Sequence, residues 1–303
     1  MLKRCVWMSL VLSLLFAVTM KTTAQEIPKL KIATLTADEN RFTEKFTAQF
    51  FLQLAKQKDL KLLDRDLTNA ARRGIQVENL FNLSLTEAKN IGVAVDCEFY
   101  FIVRAENQRR SSSIKDYYFE ASAVIFLVST RTGNLIHWEN AVLIDANEEN
   151  AEKKLFGEIP NVSKRFLQKL LATRENELLN LNKNAKNLVE DFADLPEDAK
   201  AETDAATPSK FRAPLPYRRL RPNYTAAANK ADVVATVDVF VYLNERGETV
   251  KVTIERWAGF DLDEETVDTI KKMQFRPASL DDKPLAVRVI LRYNFRDINK
   301  DDE

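Results

Sequence analysis

The sequence predicts a mixed α/β, or α+β, chain in two parts: an N-terminal three-layer α/β domain with a mixed sheet, then a small α+β domain built on an antiparallel sheet. Three observations carry this reading. Phe42, Phe46, Phe50 and Leu54 recur every four residues, which lays an apolar stripe along one helix. Val233, Ala235, Val237, Val239, Val241 and Leu243 occupy alternate positions, the period of a strand with one buried face. Between these regions charge and proline content change: seven acids stand against Lys200 alone from Glu190 to Asp204, and six bases against no acid from Ala205 to Ala231.

The first domain is placed at residues 28–180. Leu30 to Leu35 reads as a strand, and Thr36-Ala37-Asp38-Glu39 has capping-box spacing ahead of the Phe42–Leu54 helix. Leu60 to Arg65 is a short strand. Ser84-Leu85-Thr86-Glu87 repeats the capping spacing before a brief helix that stops near Gly92. Phe99 to Val103 is a buried strand; Tyr117 to Val128 and Leu135 to Ile144 form a hairpin around the turn Thr130–Asn134. A helix from Val162 to Leu179, with Val162, Phe166, Leu170 and Leu171 on one side, closes the domain.

Residues 181–215 read as a charged linker, extended by Pro196, Pro208 and Pro214. The second domain spans 216–297, with a short tail at 298–303. Its alternating strand turns at Asn244-Glu245-Arg246-Gly247, and Val250, Val252 and Ile254 continue the inner face on the return. Asp261, Asp263, Glu264 and Glu265 open a helix that Lys271 and Lys272 close, matching the helix dipole at both ends; Val267, Ile270 and Met273 form its buried side. In the last strand Val287, Val289, Leu291, Tyr293 and Phe295 point inward, and Arg288, Arg292 and Arg296 outward.

The chain carries 45 basic and 45 acidic residues, so it has no overall field to draw in nucleic acid. Lys3 and Arg4, the apolar run Cys5 to Met20 and the small residues Thr22-Thr23-Ala24 follow the order of a secretory signal, placed at residues 1–24. That run has sixteen residues, just under the roughly 17–25 needed to span a bilayer, so cleavage and a periplasmic location are expected. The alternative is an inner-membrane anchor through residues 5–20. After cleavage Cys97 alone would remain, which excludes an intramolecular disulfide; its place at the head of an apolar strand reads as a buried small hydrophobe.

Chemistry is scarce. The one histidine, His137, sits in a strand beside Trp138, and with one mature cysteine it makes no zinc site of the usual kind. Asp281-Asp282 lacks the turn glycine of a calcium loop, and six glycines supply no phosphate cradle. No catalytic residue, metal or cofactor is expected.

Several segments in fixed order suggest a family. Pro222, Tyr224, Ala227 and Ala228 precede the valine-rich strand; the Asn244–Gly247 turn, Leu262, Phe275-Arg276-Pro277-Ala278, Lys283-Pro284-Leu285 and Tyr293-Asn294-Phe295 follow. In these, residues 211–297 resemble the TonB C-terminal domain family. Leu62-Leu63-Asp64-Arg65, Ile91-Gly92-Val93-Ala94-Val95-Asp96, Ala123 to Val128 and Thr132-Gly133-Asn134-Leu135 give the first domain a looser resemblance to a group that includes CsgG and the N-terminal domain of TolB. The first resemblance implies a non-enzymatic envelope protein that docks an outer-membrane transport receptor, or another envelope partner, by strand addition. It implies Arg288, Ile290, Arg292, Tyr293, Asn294 and Arg296 as the contact strand. The second implies a scaffold or activator of peptidoglycan synthesis or secretion, with peptidoglycan-associated partners. Arg212, Arg218, Arg219 and Arg221 form a basic linker patch suited to an acidic partner or to solvation alone. Self-association stays open.

Overall fold

A computed structural model describes residues 29–111, 116–184, 193–194 and 211–296. The signal-like segment, most of the linker and most of the tail lie outside them, and so does the predicted anchor at residues 5–20. Among the described residues no helix is long and apolar enough to cross a membrane.

The N-terminal sheet has five strands in the order β2 (Leu60–Leu62), β1 (Leu30–Thr36), β3 (Phe99–Arg110), β4 (Tyr118–Ser129), β5 (Leu135–Asp145). β1 is parallel to β2 and β3, and the remaining pairs are antiparallel, so the sheet is mixed as expected. The continuous apolar runs in β3 and β4 follow from cover on both faces. Phe99, Phe101, Val103, Ala121, Ala123, Ile125 and Leu127 face helices α1 (Arg41–Leu54) and α4 (Glu148–Asn184), meeting Phe46, Phe50, Leu155 and Phe166. Tyr100, Ile102, Val124, Phe126 and Val128 face the other way, toward α3 (Leu85–Val95) and the C-terminal domain.

Several local expectations are corrected. The cap of α1 is Asn40, whose Oδ1 accepts from the Phe42 amide at 2.9 Å, because Thr36 is still paired in β1. After β2, Asp64 caps an unanticipated helix α2 (Arg65–Arg73), accepting from the Leu67 amide at 3.0 Å. The Ser84–Glu87 capping box is formed, but α3 runs past Gly92 to Val95 and ends on left-handed Asp96. Gly92 is instead a close approach, since a Cβ there would lie 2.0 Å from Thr130 Oγ1. Helix α4 begins fourteen residues before Val162, at Glu148, and continues through Pro160; Leu171 is 51% exposed rather than on the buried side.

In the C-terminal domain β10 (Thr249–Arg256), β9 (Ala235–Leu243) and β14 (Val287–Phe295) form an antiparallel sheet. Val237, Val239, Val241 and Leu243 are buried with Ile270 and Met273 on the side of α6 (Leu262–Lys271). Val250 departs from the predicted inner face: the register slips between Thr249 and Lys251, and this extra residue is 54% exposed. A five-residue helix α5 (Ala226–Lys230) precedes β9. Part of the predicted linker belongs to this domain. β7 (Phe211–Arg212) pairs with β12 (Ala278–Leu280), which also pairs with β13 (Lys283–Leu285), and β8 (Leu215–Pro216) pairs with β11 (Phe275–Arg276).

The two domains share one hydrophobic core. Phe126 of β4 lies 5.7 Å from the Trp257 ring and 5.6 Å from Phe260, and Trp138 of β5 lies 5.0 Å from Phe260. The loop between β10 and α6 thus plugs into the N-terminal sheet. Gly259 in that loop has φ +69°, and a Cβ there would stand 2.5 Å from Phe126 Cζ, so glycine serves both the backbone turn and the close packing.

Candidate functional site

Strand β14 is bonded along its whole length to β9, from Val287 opposite Leu243 to Phe295 opposite Ala235. Its other edge pairs only at Val287 and Arg288, with the two-residue parallel strand β6 (Ala193–Asp194). From Val289 to Phe295 this edge has no strand partner among the described residues. Such an edge presents backbone donors and acceptors in the spacing an incoming strand can use.

The six predicted contact residues all lie on or just after this strand. The Arg288 guanidinium stacks 4.4 Å from the Phe240 ring centroid, and Ile290, opposite Phe240, is 48% exposed. Arg292 makes a two-point bond to Asp238 across the sheet, Nε to Oδ1 at 2.7 Å and Nη2 to Oδ2 at 2.9 Å, which raises its already high pKa. Asn294 Oδ1 accepts from Thr236 Oγ1 at 2.9 Å. Tyr293 belongs to the buried face: its hydroxyl reaches Leu220 O and Met273 sulfur, and burial raises its pKa. Arg296 follows the strand directly.

The four linker arginines have different surroundings. Arg212 pairs with Asp282, and Arg219 lies over the Tyr293 ring at 5.9 Å; Arg218 and Arg221 are exposed. The first two are thus partly committed within the domain. His137 Nε2 is 3.0 Å from Glu139 Oε1, and its ring packs 4.9 Å from Phe166. Glu139 also holds Arg165 at 2.6 Å, so this group ties β5 to α4. Cys97 is a buried free thiol whose pKa burial pushes up to about 11, far from the thiolate a nucleophile needs. No cluster of three potential metal-ligating acids, histidines or cysteines occurs among the described residues.

Sequence reasoning missed the residues at the joint. Asn82 behaves like a piece of backbone: Nδ2 donates to Thr236 O at 2.7 Å and Trp257 O at 2.8 Å, and Oδ1 accepts from the Thr236 amide at 3.0 Å. Arg256 Nη1 donates to Asn82 O at 2.7 Å and lies 3.0 Å from Glu87 Oε2, while its Nε lies 3.7 Å from Asp238 Oδ2. Burial raises the Glu87 pKa, but bonds from Ser84 and Arg256 outweigh it and hold the carboxyl below its usual range. Arg256, Asp238 and Arg292 form a row of alternating charge across β10, β9 and β14, beside a polar cleft of about 450 Å³ also lined by Asn79, Asn82 and Glu87. The signal for this row was present in the sequence as Asp238, the acid within the valine-rich strand.

Residues 221–296 match the family model described as Gram-negative bacterial TonB protein C-terminal. The match marks the C-terminal domain as TonB-type. No curated protein matches the chain. Similar solved structures include the hypothetical protein CT253 from Chlamydia trachomatis, 12% identical over 45% of this chain and 96% of that chain, with a TM-score of 0.31. Lipoprotein GNA1162 from Neisseria meningitidis is 13% identical over 50% of this chain and 99% of that one, with a TM-score of 0.29. The C-terminal domain of LpoB from Salmonella enterica is 12% identical over 38% and 82%, with a TM-score of 0.25.

Proposed function

We propose that this protein is a non-enzymatic periplasmic adaptor that docks an outer-membrane transport receptor, or another envelope protein, by strand addition to the edge of β14. One observation supports the reading: a TonB-type sheet whose last strand, among the described residues, has a strand partner on its far edge only at Val287 and Arg288. Strand addition draws affinity from backbone hydrogen bonds, which suits a strand whose longer side chains are partly engaged within their own sheet.

A second reading is favoured by the shared core. A TonB-type domain built into a larger body can serve a scaffold for wall synthesis or secretion, with the N-terminal domain making the contact.

Site-specific crosslinking in the bacterium separates the two. A thiol-reactive crosslinker placed through Ile290→Cys is expected to capture a transport receptor, whereas Leu67→Cys on the exposed face of α2, 72% exposed, captures none. The buried Cys97 stays silent in both. Capture of a wall-synthesis or secretion protein through Leu67→Cys alone would favour the scaffold. Absence of any capture at position 290 would remove the docking edge.

A further inference from the structure

Strand β5 ends the N-terminal sheet on one side. It pairs with β4 from Asp145 opposite Phe119 to Leu135 opposite Val128, and among the described residues no strand lies along its other edge. The edge strand at the opposite side of the sheet, β2, has only three residues, whereas β5 has eleven. Long edges are commonly guarded by lysine, proline or a bulge. In β5 the guards stand only at the ends. The register slips beside Leu135, and at the other end Lys154 Nζ donates to Ile144 O at 3.3 Å and pairs with Asp145 at 2.7 Å. The run from His137 to Leu143 carries neither lysine nor proline, and its one acid, Glu139, is held on α4 by Arg165. In the middle of that run Asn140 Oδ1 is shielded from solvent and has no hydrogen-bond donor among the described residues. A shielded amide oxygen is destabilising until a donor reaches it.

We propose that β5 pairs antiparallel with the β5 of a second copy of this chain, about a two-fold axis at Asn140. That axis sets Asn140 opposite Asn140, Trp138 opposite Val142, Glu139 opposite Ala141 and His137 opposite Leu143. No like charges meet, and each Asn140 amide nitrogen can supply the donor that the other Oδ1 lacks. The edge is therefore self-complementary, as an isologous interface requires. It offers apolar groups and an amide rather than an excess of either charge, which suits a second copy better than an acidic or basic segment. In the dimer the two N-terminal sheets run on as one, and two β14 edges belong to one particle. Where those edges dock partners, the particle binds bivalently.

Sedimentation velocity of the full chain tests the pairing. The unmodified chain is expected to pass from monomer to dimer as its concentration rises. Asn140→Asp sets two carboxylates face to face at the axis and should raise the dissociation constant about tenfold or more. A chain that stays monomeric up to about 1 mM overturns the proposal, and so does a dimer that Asn140→Asp leaves unchanged. Crosslinking gives a second reading that does not depend on that variant. In a Cys5→Ala, Cys97→Ala background, Asn140→Cys keeps the backbone ladder and should form an intermolecular disulfide on mild oxidation, because directly opposed residues of an antiparallel pair lie within the Cα separation a disulfide tolerates. Val142→Cys faces position 138 rather than itself and should crosslink about tenfold more slowly or less. Equal rates, or no disulfide from Asn140→Cys, would also overturn the proposal. Either failure leaves the capture at position 290, in the other sheet, to stand on its own.

Discussion

The indole Nε1 of Trp257 donates to the carbonyl oxygen of Gly133 at 2.9 Å, fastening the loop after β10 to the hairpin turn between β4 and β5. Trp257 is 1% exposed, and its amide donates to Leu83 O at 3.1 Å. Trp257→Ala should cost about 3–5 kcal/mol through the cavity it leaves and the lost bond. Both domains should lose stability together, since one cluster of buried apolar residues spans them. Denaturation followed by far-ultraviolet circular dichroism and by tyrosine fluorescence should show one coincident transition in the unmodified chain, shifted to lower denaturant in the variant. Two separated transitions in the unmodified chain would contradict the shared core.

Gly259→Ala should be destabilising for two separable reasons. The positive φ costs about 1–2 kcal/mol for a residue with a Cβ, and contact with Phe126 adds an overpacking cost of about 1–3 kcal/mol. In a background of Phe126→Leu the added cost of Gly259→Ala should fall toward the backbone contribution alone. A double-mutant cycle by urea unfolding measures the difference.

Asp238 is 4% exposed and accepts both bonds from Arg292. Asp238→Ala leaves Arg292 and Arg256 side by side without their shared acid, and a loss of about 2 kcal/mol is expected. That figure is below the range for a fully buried pair because the Arg292 side chain is 65% exposed. Arg292→Ala should cost less, since Arg256 stays 3.7 Å from the carboxylate. Equal losses would show that Arg256 contributes nothing.

Burial pushes the Asp263 carboxyl up to about 7 from an ordinary 3.8, against the opposing pull of amide bonds from Ala258 and Gly259 at 2.9 and 2.8 Å. The folded chain therefore holds this proton more tightly than the unfolded chain. Stability should fall as pH rises from about 4 to 7 and then level off. Lowered groups act elsewhere: Asp145, held at about 2 chiefly by its hydrogen bond from Lys154, contributes stability above its unfolded value that is lost as pH falls toward 2. Melting temperatures between pH 5 and 8 should decline in the unmodified chain and stay flatter in Asp263→Asn, which has no proton to lose.

The elements that were legible in the sequence were those with strong periodicity or a specific cap. The stripe from Phe42 to Leu54, the Ser84–Glu87 box and the β9 alternation each encode burial locally, and each is found where expected. Helix α2 was not legible, because only Thr68 of it is buried and its other residues match a solvated loop equally well. Pro160 obscured the first half of α4: proline disfavours a helix interior, yet packing of Ala151, Leu155 and Ile159 against the sheet outweighs that local cost. The joint was hidden for a different reason. Periodicity shows that Phe126 and Val128 need cover but does not name the covering residues, and Trp257 and Phe260 lie more than a hundred residues away. Strand β14 was legible as an outward row of basic residues, whereas its two-residue pairing with Ala193 and Asp194 has no periodic signal in the sequence.

The chain between α4 and β7 starts and ends on a single body, at Asn184 and at Phe211. Cutting the chain between 185 and 210 would therefore sever the covalent path without severing the particle. The pieces would remain held by the Trp257 joint and the common core. The protein is in this sense a candidate for expression as two complementary polypeptides.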